Sequence, residues 1–158
     1  MCSEDPSVQK IEDVYELSEE LLEATDRLTG LAASLDGIPE AHYVNMAGRN
    51  RMLSQRISKF FLFREWANLD DRIAALIPPS CFEFESNLQY LGKTENIPPE
   101  VTAQLRVVAS QWQKFIRTLS PDLSHPTRTQ HARLAMAEGD RLLRSVDTTV
   151  KLFERLTK

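Results

Sequence analysis

The segment NMAGRNRMLSQRISKFF, residues 45–61, carries four cations, Arg49, Arg51, Arg56 and Lys59, among Met, Leu, Ile and Phe. An arginine guanidinium presents a planar fork of N–H donors that fits the oxygens of small oxyanions. A hydrogen bond to a charged group contributes about 1.5–3 kcal/mol, so a few of them are enough for micromolar binding in a preformed site. The first chemistry that this segment predicts is therefore recognition of a small anion.

The distribution of charge leaves a second explanation open. The whole chain has a net charge of −4, which gives no general case for nucleic-acid binding. Residues 1–40 contain eleven acids and two bases, whereas residues 41–64 contain five bases and no acid. The counter-charge for the arginines is therefore supplied either by acids of the preceding segment or by an exogenous anion. Salt bridges within the chain would account for the pattern without any ligand.

A helical arrangement of this segment brings several of its polar residues to one side. At 100° per residue that side carries Gly48, Arg51, Met52, Gln55 and Lys59. Arg49 and Arg56, one heptad apart, lie on an adjoining face. Glycine costs about 1 kcal/mol in an exposed helix interior, so its presence at position 48 suggests the close approach of another helix.

The element that precedes this segment reads as one long helix over residues 7–35. Its apolar residues repeat at intervals of three and four, which is the pattern of a coiled coil or a four-helix bundle. This predicted seam consists of Val14, Leu17, Leu21, Ala24, Leu28, Leu31 and Leu35. Gly37 and Pro39 predict the end of this helix and the beginning of the next.

The second predicted helix, residues 39–66, is apolar on two sides. One side carries Met46, Leu53, Ile57, Phe60 and Phe61, and roughly the opposite side carries Val44, Met52, Leu62 and Trp66. A helix that is apolar on two sides requires two partners. We expect one to be the core of the domain and the other to be a second subunit.

The remainder of the chain also reads as helical. We predict a short helical piece near 69–77, a break at 78–79, a third helix interrupted between Gly92 and Pro99, and a loop over 120–126. The last helix repeats the three-four spacing through Ala132, Ala135, Gly139, Leu142, Val146, Thr149, Phe153 and Leu156. The expected fold is all-α, an antiparallel four-helix bundle with one broken or kinked helix, in a single domain spanning 1–158.

Other kinds of site have little support in the sequence. A phosphotransfer helix would need an exposed histidine followed by Lys and Gly, and His131 lacks that context; we expect it to be an ordinary surface residue. No Glu-x-x-His pair, Cys-x-x-Cys-His motif or catalytic triad spacing occurs, so we expect no metal, no cofactor and no enzymatic activity. The chain shows no signal peptide and no apolar run long enough to span a membrane.

Residues 45–56 match a known signature without a gap. The segment resembles the N-x-A-G-R-x-R-M-L-S-Q-R motif of PilJ-type sensor domains, the N-terminal domains of type IV pili methyl-accepting chemotaxis transducers. It is similar, more distantly, to the corresponding box of nitrate/nitrite sensor kinases. Later segments also resemble the family, namely FESNLQYL at 84–91, WQKF at 112–115 and EGDRLLRSVDTTVKLFE at 138–154.

The resemblance implies a sensory helical domain, usually periplasmic or in the cell envelope and often dimeric. In the nitrate sensors the arginine before the methionine holds the anion between two subunits, and that position is Arg51. The resemblance carries over a set of ligand-binding candidates: Asn45, Gly48, Arg49, Arg51, Met52, Gln55 and Arg56. It also implies a small anionic ligand, a homodimer, a membrane receptor or signalling partner, and no nucleic acid. The alternative is a helical dimerisation or interaction scaffold with no ligand.

Overall fold

The structure is a computed structural model that describes residues 6–36, 39–66, 71–120 and 127–157. Every regular element in these described ranges is a helix, and no strand occurs among them, which confirms the all-α prediction. The chain forms two compact units, Met1–Gly37 and Ile38–Lys158. The expectation of a single domain stays a prediction.

The helix boundaries follow the proline and glycine punctuation of the sequence closely. The helices are α1 Pro6–Asp36, α2 Pro39–Trp66, α3 Asp71–Ala74, α4 Ile77–Gly92, α5 Pro99–Leu119 and α6 Arg128–Leu156. The interruption predicted between Gly92 and Pro99 is present as a link that separates α4 from α5. In this link Asn96 has a φ of 63°, a left-handed conformation that asparagine tolerates better than most residues. Most of the predicted loop at 120–126 lies outside the described residues.

The first unit consists of the single helix α1. Its three-four seam is exposed, with Val14, Leu17, Leu21 and Leu28 between 60% and 67% accessible. A lone helix has no surface of its own against which such a seam can be buried, so α1 needs a partner outside its own unit. The side chain of Leu35, the last predicted seam residue, lies outside the described residues.

In the second unit the helices pack as antiparallel neighbours. Paired contacts between α2 and α6 run in opposite directions along the two helices: Tyr43 with Phe153, Arg51 with Asp147, and Ser58 opposite Gly139. α2 and α4 are antiparallel as well, since His42 contacts Tyr90 and Arg49 contacts Glu83. α5 and α6 are also antiparallel, since Gln104 contacts Ser145 and Thr118 contacts His131.

The core of this unit is apolar and rich in aromatic rings. Its largest fully buried side chains are Trp112, Phe60, Phe61, Phe84, Phe115, Phe153, Leu53, Ile57, Leu91 and Leu142. The Phe84 and Trp112 rings stack at 4.1 Å between centroids, and Trp112 Nε1 donates to Glu85 Oε1 at 2.9 Å. These contacts hold α4 against α5. The apolar positions predicted for the last helix and for the Leu53 side of the second helix are buried, except that Met46 and Leu156 are half-buried. On the opposite side of α2, Val44, Met52 and Leu62 are half-buried, and the side chain of Trp66 lies outside the described residues.

The two adjacent prolines do not form the predicted break. Pro78 and Pro79 lie in the first turn of α4, where the missing N–H groups would have had no helical partner anyway. The preceding turn instead separates α4 from the short α3, and Leu76 N donates to Ile73 O at 3.1 Å there. Proline therefore begins a helix here rather than interrupting one.

Candidate functional site

Four of the twelve residues of the arginine-rich signature, 45–56, lie in the core. Ala47, Leu53 and Ser54 are almost fully buried, and so is Asn50, which is 2% exposed. Asn50 Nδ2 donates to the carbonyl of Phe84 at 3.2 Å, and its Oδ1 accepts from Asn87 Nδ2 at 3.0 Å. Asn50 therefore fixes α2 against α4 from within the core.

The two arginines on either side of Asn50 point to different neighbouring helices. Arg49 Nε lies 2.6 Å from Glu83 Oε1 of α4. Arg51 Nε lies 3.4 Å from Asp147 Oδ1 of α6. Arg49 and Arg51 therefore each have a carboxylate partner within the chain, on α4 and on α6 respectively. Exposed pairs of this kind contribute about 0–1 kcal/mol each, so they do not by themselves explain why both positions carry arginine.

Asp147 has a second cationic neighbour. Lys151 Nζ, one turn further along α6, lies 2.6 Å from Asp147 Oδ2. The hydrogen bond from Lys151 lowers the pKa of Asp147, and the positive charges of Lys151 and Arg51 lower it further. Asp147 therefore remains a carboxylate at neutral pH and keeps a negative charge beside Arg51.

The face of α2 opposite the core carries the remaining signature residues. Asn45, Gly48, Met52 and Gln55 follow one another at intervals of three and four, and Leu62 continues the same stripe. We call these five residues the outer stripe. Apart from its own helix, no described atom lies within 4 Å of the position that a Cβ would occupy at Gly48. The close approach expected at this glycine therefore does not come from the described residues.

Arg51 borders this stripe and is the most accessible of the candidate arginines, with 57% of its side chain exposed. Arg56 differs, because its guanidinium carbon lies 5.3 Å from the centroid of the fully buried Phe60 ring. Lys59 Nζ lies 5.7 Å from the same ring. Both cations therefore lie within cation–π distance of a core ring.

The expectation that His131 is an ordinary surface residue was wrong. His131 is 7% exposed, so it is not a surface residue. Its Nε2 lies 2.5 Å from the carbonyl oxygen of Thr118, and its ring meets Phe61 edge-on at 5.1 Å. The spacing between His131 and the buried residues that follow it in α6 is the three-four spacing of the core-facing side. The sequence therefore did contain a signal that His131 is buried.

Sequence reasoning also missed Glu83 and Asp147, the two carboxylates that contact the signature arginines. No local pattern identifies either residue as a partner of an arginine on α2, because those contacts depend on which helices pack together. Asp147 and Lys151 do have the i, i+4 spacing of a helical ion pair, which was the one available signal near Arg51.

The described part of the chain contains no group of three or more side chains suited to hold a metal ion. Among its helices, none is long and apolar enough to cross a membrane.

These features define a class of protein, an all-helical domain with an arginine-rich signature on one helix. The family model described as type IV pili methyl-accepting chemotaxis transducer N-terminus, PilJ, matches residues 39–142. The chain therefore belongs to the PilJ family, and its domain is of the sensor type found in signal-transducing chemoreceptors. No curated protein and no solved structure matches the chain. The matched region begins at α2 and does not include α1.

Proposed function

We propose that this domain senses a small oxyanion, with nitrate and nitrite as the first candidates, through Arg51 and the outer stripe of α2. The observation that carries the proposal is the exposed guanidinium of Arg51 beside a stripe that no described atom covers at Gly48. An arginine in that position offers donors to a planar oxyanion at a helix surface that is otherwise half apolar. The domain has no enzymatic role in this proposal, which needs neither metal nor cofactor.

A second copy of the chain is the partner that fits the outer stripe. The three-four spacing is that of a two-helix seam, and a glycine in its middle allows two helices to approach closely. Two copies related by a twofold axis would bring Arg51 of each near the other. Their mutual repulsion is offset when an anion lies between them, so the anion favours one arrangement of the two helices and shifts the population toward it.

The exposed seam of α1 supports the same dimer. It would be buried if α1 of one copy packed along α1 of a second copy, and burying a leucine contributes about 1.5–3 kcal/mol. Leu21→Lys should then weaken dimerisation in sedimentation equilibrium, whereas Glu23→Lys, at another exposed position on the other side of α1, should not. Equal dimer constants for the two variants would contradict the role of the α1 seam.

The predicted bundle takes a specific form in this proposal. Its four helices are α2, α4, α5 and α6. This differs from the bundle expected from the sequence, which counted the first helix as a member and the interrupted third helix as one member; here α4 and α5 are separate members and α1 is not one of the four. Family membership supports a location in the periplasm or cell envelope. It also supports a membrane receptor or another signalling protein as the recipient of the signal.

The first test is a thermal-shift and sedimentation series with nitrate, nitrite, sulfate, phosphate and chloride at constant ionic strength. We expect one of the oxyanions to raise the melting temperature or the dimer fraction of the intact protein. Arg51→Ala should abolish that response. Arg106→Ala is the matched control, because Arg106 is an exposed arginine on α5, away from the outer stripe.

A scaffold without a ligand is the competing function, and one observation favours it: Arg49 and Arg51 already contact carboxylates within the chain. A scaffold predicts that all anions act alike at equal ionic strength. It also predicts that Arg51→Ala leaves both the response and the dimer fraction unchanged. That result would refute the sensor function.

A further inference from the structure

Asp147 lies where it can compete with a ligand for Arg51. Its Oδ1 faces Arg51 Nε at 3.4 Å, and its Oδ2 is held by Lys151 Nζ at 2.6 Å. The lysine is on the same helix, so it orients the carboxylate without connecting α6 to anything else. The Arg51 contact, in contrast, joins α6 to α2.

A carboxylate and a small oxyanion make the same kind of hydrogen bond to a guanidinium. A chain-borne carboxylate at this distance has a high effective concentration, so it lowers the apparent affinity of any anion that needs the same donors. Its negative charge also repels an approaching anion. Both effects weaken the binding of an anion at Arg51.

We propose that Asp147 is a tethered competitor that occupies Arg51 in the ligand-free state and is displaced by the oxyanion. Binding then exchanges the Arg51–Asp147 contact for an Arg51–anion contact. α2 loses one of its ties to α6, and the event at the outer stripe is transmitted to the helix that ends the described chain. This inference rests on the proposed function, because it takes Arg51 as the anion-binding group.

The geometry suits an exchange of this kind better than a permanent structural tie. The Arg51 side chain is 57% exposed and that of Asp147 is 32% exposed, so solvent reaches the pair and screens it. The neighbouring Arg49–Glu83 pair is shorter, at 2.6 Å, and less exposed at the arginine. Of the two signature ion pairs, Arg51–Asp147 is therefore the easier one for a ligand to open.

The test uses the full chain, sodium nitrate and sodium nitrite as probes, and calorimetric titration at constant ionic strength. Asp147→Asn retains the shape of the side chain and removes its charge. It should tighten anion binding about two- to fivefold, given the modest strength of exposed ion pairs. Asp140→Asn is the matched control, since Asp140 is an exposed acid on the same helix. It changes the net charge equally and should leave the affinity as it is.

Hydrogen exchange of the α6 backbone around Asp147 gives a second readout. Nitrate should accelerate exchange in this region of the wild-type protein, because the tie to α2 is released. In Asp147→Asn the tie is already absent, so nitrate should have little further effect there. An Asp147→Asn variant that binds the anion even where the wild-type protein shows no binding would also support the competitor role.

The two proposals fail in different ways. Anion binding that requires Arg51 but is equal or weaker in Asp147→Asn overturns the competitor role and leaves the sensor function standing. Binding that persists in Arg51→Ala overturns the sensor site, and the competitor role with it. Absence of binding in both the wild-type protein and Asp147→Asn also overturns both.

Discussion

The contact between α2 and α6 at Gly139 allows a quantitative test of the packing. A Cβ added at Gly139 would lie 2.6 Å from Ser58 Oγ, 3.4 Å from Phe115 Cε2 and 3.7 Å from Ser58 Cβ. Only the first distance is a clash, and the atom responsible is a hydroxyl that can rotate. Rotation breaks the hydrogen bond that Ser58 Oγ donates to Ser54 O at 2.9 Å.

Two contributions of opposite sign determine how Gly139→Ala changes the free energy of unfolding. Gly→Ala in a helix interior stabilises by up to about 1 kcal/mol, and loss of one hydrogen bond costs about 0.5–1.5 kcal/mol. Phe115 is fully buried, so its ring has little room to move away. Gly139→Ala should therefore be neutral or destabilising by up to about 1 kcal/mol in the wild-type protein. With Ser58→Ala present, the clash is gone and the same change should stabilise by about 1 kcal/mol.

The assay is urea unfolding of the wild-type protein, the two single variants and the double variant, followed by circular dichroism. We expect a coupling energy of about 1–2 kcal/mol between the two positions. Gly48→Ala, measured at a protein concentration at which the chain is monomeric, is the control, because no described atom outside its helix approaches its Cβ position within 4 Å. It should stabilise the fold without coupling to Ser58→Ala. If Gly139→Ala stabilises the wild-type protein as much as Gly48→Ala does, the close approach of α2 and α6 is refuted.

Three further predictions concern buried or charged groups. Asn50→Ala should destabilise by about 1–3 kcal/mol in urea unfolding, because it removes both hydrogen bonds to α4. Burial, with a smaller contribution from Glu85, raises the pKa of Cys81 to about 11 from an ordinary 9.0. In a Cys2→Ser background, iodoacetamide at pH 8 should therefore modify the folded protein roughly 100-fold more slowly than the urea-unfolded one; equal rates would contradict the burial. The pKa of Asp147 is lowered in the folded protein, so its stabilising contribution is present at neutral pH. The difference in free energy of unfolding between the wild-type protein and Asp147→Asn should therefore shrink only below pH 3.8. A difference that stays constant at acidic pH would show that the cations do not stabilise this carboxylate.

The positions of the helices were predictable from the sequence because their signals are local. Proline at positions 39 and 99 and glycine at positions 37 and 92 mark the ends of elements, and the three-four spacing marks the buried side of the last helix. The same reasoning misjudged Pro78 and Pro79, since a proline pair fits the first turn of a helix as well as a break. Only the length of helix that follows distinguishes the two cases.

The pairing of helices was not predictable in the same way. Contacts such as Arg49 with Glu83 join residues 34 positions apart, and no spacing rule connects them. The sequence did show that the basic helix lacks acids of its own, so a counter-charge from elsewhere was required. It did not show that α4 and α6 supply it, because that depends on which faces of three helices meet in the folded chain.

The signature contains residues that pack into the core and residues that face away from it, and these lie on different faces of α2. Ala47, Asn50 and Ser54 turn inward and fix α2 in the unit, whereas the outer stripe turns away from that core. Arg51 lies at the boundary, where it can contact either Asp147 within the chain or an anion outside it. A helix held rigidly from the inside keeps the boundary residue in a defined position. In the proposed sensor, a change of partner at Arg51 would then alter the contact between α2 and α6 instead of moving α2 alone.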